Sequence, residues 1–385
     1  MDRESGMASN LTMVDGYHGV IESLFNKAGI TINGLQDLDI TVHNEQFYKR
    51  ILSQASLGLG ESYMDGWWDS RSIDQMVSNM FQADLDHEVK QNSKYWWHIL
   101  QARLFNLQSS GRAYQVADVH YNLGNDLFMA MLDQRLCYSC GYWKGTNDLD
   151  IAQENKLDLL CRKLNLQRND HVLEIGCGWG SFAQYAAEKY GARVTGITVS
   201  KEQVKLAKER CKGLEVDILL MDYRELEGQF DKVVSIGMFE HVGAKNYNKF
   251  FKVVKALLKD QGTFVLHSIG VDQKISVTDP WIDRYIFPNG KLPALEEIAT
   301  TCEPYFVIDD VQNMGPDYDT TLMAWHERFE NAWPKLSEQY DERFRRMWRF
   351  YLLTCAGAFR SGQLQLFQVV FKHRNQRRAR YDAAR

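Results

Sequence analysis

A short apolar run that ends in a glycine turn constrains this chain more than any other stretch. Val172, Leu173, Glu174 and Ile175 lead into Gly176-Cys177-Gly178-Trp179-Gly180, and residues 181–189 continue with helical spacing. Strand, tight turn and helix start follow one another without a spare residue. Three glycines two apart let the backbone take positive φ and let a ligand reach the main chain without meeting a Cβ. A dinucleotide fingerprint needs G-x-G-x-x-G, and counting from Gly176 puts Ser181 where the third glycine belongs. The turn is read either as a nucleoside site of another kind or as a plain corner, and the rest of the chain decides.

Downstream, strands at 172–175, 193–199, 216–221, 231–236 and 263–269 alternate with helices at 181–189, 201–211 and 246–258. Such alternation predicts a largely parallel sheet with helices on both faces and a ligand at the carboxyl ends of the strands. The form G-x-G-x-G resembles motif I of S-adenosylmethionine-dependent methyltransferases. The expected fold class is therefore α/β, a Rossmann-like methyltransferase sheet with helical insertions. After Gly270 the alternation stops: 279–290 holds two prolines and reads as an irregular insertion, a lid or pocket wall, before long helices over 321–359.

Ahead of this region, Val20, Ile21, Leu24 and Phe25 recur at helical spacing, and Ile30–Gly34 and Asp39–Val42 read as two short strands around a turn. A glycine- and aromatic-rich stretch over 57–68 ends in Trp67-Trp68, and Trp96-Trp97 repeats the tandem. These features predict a smaller α+β accessory domain over 1–110, with 108–111 as linker and 111–385 as the catalytic domain. A net charge of −5 argues against a nucleic-acid binder. The seven cysteines are scattered, and Cys137-x-x-Cys140 has no second pair, so they read as reduced thiols rather than a metal site. With a polar N-terminus and no apolar stretch long enough to span a bilayer, the expected location is cytoplasmic. The stretch 372–385 reads as a basic tail, solvated or drawn to an anionic membrane surface.

Taken in order, Gly58-Leu59-Gly60-Glu61-Ser62-Tyr63-Met64-Asp65-Gly66, Tyr138-Ser139-Cys140, Glu174 to Gly180, Met238-Phe239-Glu240-His241-Val242-Gly243, His267-Ser268-Ile269-Gly270, Tyr285-Ile286-Phe287-Pro288 and Asp317-Tyr318-Asp319-Thr320-Thr321-Leu322 resemble the cyclopropane-fatty-acyl-phospholipid synthases over nearly the whole length. On the residues themselves, Glu174, Gly176 and Gly178 suit the methionine end of the cofactor, and Asp222-Tyr223 the adenine edge. The second strand closes on Thr198-Val199-Ser200 without the acid that usually holds a ribose. The resemblance implies that Gln203 does this, and it adds Tyr138, Ser139 and Thr198 to the cofactor set.

The resemblance also implies the reaction: a methylene group passes from S-adenosylmethionine to a cis double bond of an acyl chain in a phospholipid. An alkene is a weak nucleophile, so alignment with the sulfonium carries much of the catalysis. Aromatic faces then stabilise the carbocation without capturing it, and a base removes a proton so that the ring closes. The family's base is a bound bicarbonate, held by residues matching Cys140, Glu240, His267, the main chain of Ile269, and Tyr318. Cys355 is a further family-implied catalytic candidate, although Ala356, Gly357 and Ala358 beside it read as close helix packing, and a thiolate beside a sulfonium would itself be methylated. The same resemblance implies a homodimer on the inner face of the membrane. The tandem tryptophans and the basic tail offer a means of peripheral attachment to the bilayer. The rival readings are a methyltransferase acting on another lipid or small molecule, a nucleotide-dependent oxidoreductase, and a noncatalytic lipid binder.

Overall fold

A computed structural model describes residues 4–85, 124–274, 278–374, 376 and 381–385, with side chains from Gly16 onward. The expected linker at 108–111, Trp96-Trp97 and the tail arginines Arg377, Arg378 and Arg380 lie outside the described residues. In chain order the first elements are α1 Glu4–Lys27, β1 Thr41–Val42, α2 Gln46–Met64, β2 Trp68–Asp69, α3 Ile73–Gln82, α4 Asn125–Met131 and α5 Leu149–Lys163. Next come β3 His171–Ile175, α6 Ser181–Tyr190, β4 Arg193–Thr198, α7 Lys201–Arg210, β5 Val216–Leu220, β6 Phe230–Ile236, α8 Tyr247–Leu257 and β7 Leu258–Val271. The chain closes with α9 Pro280–Tyr285, α10 Leu295–Cys302, β8 Phe306–Asn313, α11 Gly315–Leu336, α12 Glu342–Arg360 and β9 Leu364–His373.

These elements form two compact units. The first comprises Met1–Leu127, Asp279–Pro288 and His326–Gln363; the second comprises Phe128–Thr278, Asn289–Trp325 and Leu364–Arg385.

The second unit is built on one seven-stranded sheet of order β5-β4-β3-β6-β7-β9-β8. Successive residues of a strand face opposite sides of a sheet, and here each side meets its own core. Leu173, Val233, Phe264 and Val369 join one cluster with Phe250, Phe251 and Phe371. Their neighbours Val172, Val234, Val265 and Val370 join another with Leu157, Leu160 and Phe182. Burial on both faces explains the unbroken apolar runs of the central strands. The pairs β3–β4, β3–β6, β4–β5 and β6–β7 are parallel, as expected. The sequence reading placed no strand after residue 269. The structure adds β8 and β9 antiparallel beyond β7, so the sheet is mixed at that edge.

The expected basic tail also changes. Lys372 belongs to β9 and its ammonium bonds Thr263, Arg374 donates to the Glu303 carbonyl, and Arg385 forms a fork on Asp310 at 2.6 and 2.7 Å. These cations hold the fold rather than standing free in solvent.

In the first unit the two expected strands form no hairpin: the single bridge between Ile32 and Ile40 is parallel, and β1 pairs instead with β2. The glycine- and aromatic-rich stretch forms the second half of α2, entered through Ala55 at φ +50°. Trp68 is fully buried, its ring 5.0 Å from Tyr63 and 6.2 Å from Phe350, and its indole N–H reaches the Leu59 carbonyl at 3.0 Å. It is a core residue and not a membrane anchor. Trp281 packs where a Cβ on Gly60 would lie 2.4 Å from the indole ring.

Gly357 on α12 lies so close to α3 that a Cβ there would stand 2.4 Å from the Asp74 carbonyl oxygen. The small residues around Cys355 thus mark a close helix crossing. Gly357→Leu is expected to cost about 2–3 kcal/mol of stability through overpacking, read as a lower urea midpoint. An unchanged midpoint would mean that α3 and α12 do not close on this glycine.

Candidate active site

The parallel strands of the second unit end on one edge of the sheet, and the turns that follow them carry Gly176, Gly178, Asp222, Tyr223 and Glu240. After β3 the chain takes positive φ at Gly176, Gly178 and Gly180 (84°, 52° and 80°), which other residues rarely adopt. The amides of Gly176 and Cys177 both donate to the Ile197 carbonyl, at 3.0 and 2.9 Å, and fasten the turn to the end of β4. A Cβ on Gly176 would stand 2.7 Å from that of Met238, whereas one on Gly178 would meet nothing within 4 Å. Gly178 therefore presents bare backbone to a ligand. Glu174 accepts from the Ala183 amide at 3.2 Å, at the start of α6, and burial pushes its carboxyl up to about 8.

At the end of β4, Thr198 donates from Oγ1 to Gln203 Oε1 at 2.7 Å, and Ser200 caps α7 by accepting from the Gln203 amide at 3.3 Å. After β5, Asp222 is gripped by Arg224, with Nε at 2.8 Å from one oxygen and a terminal nitrogen at 2.5 Å from the other. This grip holds the Asp222 carboxyl below its usual range, so it stays ionised. Tyr223 packs edge-on to Phe250 at 5.5 Å.

Glu240 stands in a single 3-10 turn, Phe239–His241, shortly after β6. Its Oε1 accepts from the Ile269 amide at 2.7 Å, while Oε2 is buried with no partner. Burial raises this carboxyl to about 7, against the pull of the Ile269 hydrogen bond. His267, on β7, is 1% exposed. Its Nδ1 lies 3.1 Å from Gln368 Nε2 of β9, and its Nε2 is buried with no partner. Burial, reinforced by the positive charges of Lys156 and Lys163, keeps the ring neutral. With the Gln368 amide nitrogen turned to it, Nδ1 accepts and the ring proton sits on Nε2.

Cys140 is fully buried, its sulfur 3.1 Å from the Gly141 carbonyl oxygen and 3.9 Å from Thr321 Oγ1, and burial pushes its thiol well above the ordinary value. The segment carrying it is laced to α11: the Gly141 amide donates to Thr321 Oγ1 at 3.0 Å and the Trp143 amide to Asp317 at 2.8 Å. Tyr318 lies on that first stretch of α11. Its ring begins a continuous aromatic run through Trp325 at 6.0 Å, Tyr138 at 5.3 Å, Phe128 at 5.1 Å and Trp179 of the glycine turn at 5.0 Å.

The structure thus holds Glu240 on the Ile269 amide, two residues along β7 from His267, and Cys140 against Thr321, on the stretch of α11 that also carries Tyr318. Cys355 lies in the first unit. Burial raises its thiol to about 12, with Asp279 adding to the shift, so no thiolate is present at neutral pH. A cavity of about 280 Å3, lined in part by Tyr63, Arg71, Arg346 and Arg349, also lies in the first unit and contains none of the candidate residues.

Sequence reasoning missed Gln153, Lys156, Arg224 and Gln368. Two of these left a signal. Gln153 and Lys156 fall on the stripe of α5 that also holds Leu149, Ala152, Leu157 and Leu160, and both are buried. Polar residues at core positions of a helical pattern need partners; here Gln153 donates to the Ser139 carbonyl at 2.8 Å and Lys156 to the Ser139 hydroxyl at 2.9 Å.

Bicarbonate offers both an O–H and acceptor oxygens, and among the buried atoms without a partner are a carboxyl oxygen, Glu240 Oε2, and a ring nitrogen, His267 Nε2. The residues present fit it.

A mainly parallel sheet with a glycine turn after its central strand and candidate residues along one edge defines the class: this is an S-adenosylmethionine-dependent methyltransferase fold. The sequence pattern of the mycolic acid cyclopropane synthetases matches residues 108–369. The cyclopropane-fatty-acyl-phospholipid synthase of Escherichia coli K12 is 52% identical over 357 residues, covering 93% of this chain and 94% of that one. Among solved structures, the cyclopropane synthase MmaA2 of Mycobacterium tuberculosis overlays with a TM-score of 0.63 at 28% identity, covering 68% of this chain and 99% of the other. Mycolic acid cyclopropane synthase CmaA1, solved with SAH and CTAB, gives 0.61 at 31% identity, covering 66% and 95%. The chain belongs to the mycolic acid cyclopropane synthetase family. It is an enzyme that uses S-adenosylmethionine as co-substrate for cyclopropane fatty acid synthesis.

The raised carboxyl of Glu240 has a consequence for stability. Below about pH 4.5 it is protonated in folded and unfolded chains alike. As pH rises towards about 7 the unfolded chain releases the proton and the folded chain keeps it, so stability is lost across that window and the loss then levels off. The shift corresponds to about 3 kcal/mol. Glu240→Gln removes it, so the unfolding free energy of the variant minus that of the parent should grow by about that amount between pH 4.5 and 8 in urea titrations without bicarbonate. A flat difference would mean that Glu240 ionises normally.

Proposed function

We propose that the protein transfers a methylene group from S-adenosylmethionine to the cis double bond of an unsaturated acyl chain in a membrane phospholipid, leaving a cyclopropane ring. The observation that carries this reading is the pair of buried, partnerless polar atoms, Glu240 Oε2 and His267 Nε2. Simple methylation of an amine ends when the sulfonium is opened; ring closure demands in addition a place where a proton is taken from carbon.

The alkene π electrons attack the methyl carbon, the S–CH3 bond breaks and S-adenosylhomocysteine leaves as a neutral thioether. The positive charge is then on the second alkene carbon. The aromatic run from Tyr318 to Trp179 offers π faces to that charge without a lone pair strong enough to trap it. The Cys140 thiol, kept protonated by burial, is no competing nucleophile. Loss of a proton from the new methyl group frees the C–H electron pair to close the ring on the cation.

Glu240, His267 and the Ile269 main chain, with Cys140 and Tyr318, would hold bicarbonate, which when bound supplies the base. Glu240, poised near neutrality, can take up the proton that arrives and pass it on; His267 donates from Nε2 and fixes orientation. Gly176 and Gly178, with Tyr138, Ser139, Glu174, Thr198, Gln203, Asp222 and Tyr223, form the co-substrate site in this reading, and Cys355 plays a packing part.

Among the described residues no helix is long and apolar enough to cross a membrane. A bilayer substrate is therefore met from the surface, with the protein as a peripheral homodimer on the inner leaflet and the first unit handling lipid. The test incubates the protein with S-adenosylmethionine and vesicles of monounsaturated phospholipid, with and without bicarbonate. Proton NMR separates ring methylene from a methyl-branched alkene of equal mass. Ring signals that fade without bicarbonate are expected, and Glu240→Ala should abolish them while S-adenosylhomocysteine still binds. Turnover on a small amine but on no lipid would replace this reading with that of a methyltransferase for another acceptor.

A further inference from the structure

Lys156 is buried to 1% exposure on α5, and its ammonium donates to Ser139 Oγ at 2.9 Å. Among the described residues no carboxylate lies within ion-pair distance of it. Lys163, seven residues on and equally buried, has Asp310 at 3.7 Å, with Arg385 forked on the same carboxylate. One helix therefore carries two buried lysines, one with a carboxylate at ion-pair distance and one, among the described residues, without. An unneutralised ammonium in a dry interior is costly, and proteins retain such a group where something else completes it.

The acids nearest in effect do not complete it. Asp133 feels the Lys156 charge, but its oxygens accept from the Cys137 and Arg135 amides at 2.7 and 2.9 Å. Glu174 feels it too, yet burial leaves that carboxyl largely protonated at neutral pH. The same charge acts on Cys140 and on His267. Gln153, one turn earlier, holds the Ser139 carbonyl at 2.8 Å. Ser139 is thereby clamped at two atoms by one helix, with the uncompensated charge beside it.

We propose that Lys156 is the counter-charge for a carboxylate-type oxoanion brought in by ligand, and that with Gln153 it positions Ser139 to receive that anion. This rests on the reading of the second unit as the S-adenosylmethionine site. The anion has two sources of the same chemistry, the methionine carboxylate of the co-substrate and bicarbonate. A ligand that arrives with a negative charge neutralises the site, and one that lacks it leaves Lys156 alone in the interior.

The test uses the full chain with Lys156→Met, which keeps length and removes charge, Lys156→Gln, which keeps a donor to Ser139 without charge, and Lys156→Arg, which keeps charge. The probes are S-adenosylhomocysteine, methylthioadenosine, which lacks the amino-acid end, and bicarbonate; the readouts are calorimetric affinity and thermal midpoint. The ligand-free midpoint of Lys156→Met is expected to hold or rise, because a desolvated charge is gone. If the methionine carboxylate is the partner, S-adenosylhomocysteine binds the Met and Gln variants roughly 10- to 100-fold more weakly, the range of a hydrogen bond to a charged group. Methylthioadenosine then binds all forms alike. If bicarbonate is the partner, S-adenosylhomocysteine affinity is unchanged, and the rise in midpoint that bicarbonate gives the parent is lost in Met and Gln and kept in Arg. A lower midpoint in Lys156→Met with both ligand responses intact would overturn the proposal and leave Lys156 a structural hydrogen bond. None of these readouts depends on which lipid is the acceptor, so they stand apart from the test of the reaction.

Discussion

Two amide hydrogens, those of Gly176 and Cys177, converge on the single carbonyl of Ile197, and the arrangement of the second unit's site starts from that junction. It locks the turn after β3 onto the end of β4, where Thr198 and Gln203 begin. The same turn leaves no room for a side chain at Gly176, because Met238 stands there. Met238 opens the 3-10 turn that presents Glu240. The missing Cβ thus lets the glycine turn and the turn that carries Glu240 press against each other. A side chain at 176 would push these two turns apart.

Burial then decides which chemistry these turns can support. In the proposed reading a methyl sulfonium would alkylate any good nucleophile within reach, and burial holds the ionisable groups of the candidate site in their neutral forms. The Cys140 thiol is pushed up, Glu174 is raised to about 8, and His267 is kept neutral. Glu240, at about 7, is the one poised to change its proton near neutral pH. A dry, weakly charged interior is also where an alkene tail and a carbocation are least disfavoured. The apolar setting and the proton balance are one design, and the ammonium of Lys156 stands out against it.

Much of this was legible in the chain because the signals are local. The alternation of apolar runs with helices located β3 to β7, and the glycine spacing located the tight turn between β3 and α6. What was not legible depends on contacts distant in sequence. β8 and β9 are separated by two long helices, and the apolar run Leu366 to Phe371 abuts lysine, histidine and arginines, so no local signal marks it as a partner of β7. The sequence places Lys156 on the apolar stripe of α5 but does not show the Ser139 hydroxyl that it meets there. Trp68 misled in the opposite direction: a tandem tryptophan suggests a surface for lipid, whereas the ring is enclosed by Tyr63 and Phe350. An aromatic residue advertises a large contact area without saying whether protein or membrane fills it.

The strand that went unread also sets the sense of the site. β9 pairs with β7 so that Gln368 lies opposite His267, and its amide nitrogen faces Nδ1. With that nitrogen turned to it, Nδ1 accepts and the ring proton is on Nε2, which is buried with no partner. Glu240 Oε2, likewise without a partner, accepts when ionised and donates when protonated. In the proposed reading, bicarbonate would accept from the ring and exchange a proton with the carboxyl. The antiparallel edge of the sheet, far in sequence from the glycine turn, thus supplies the side chain that faces His267.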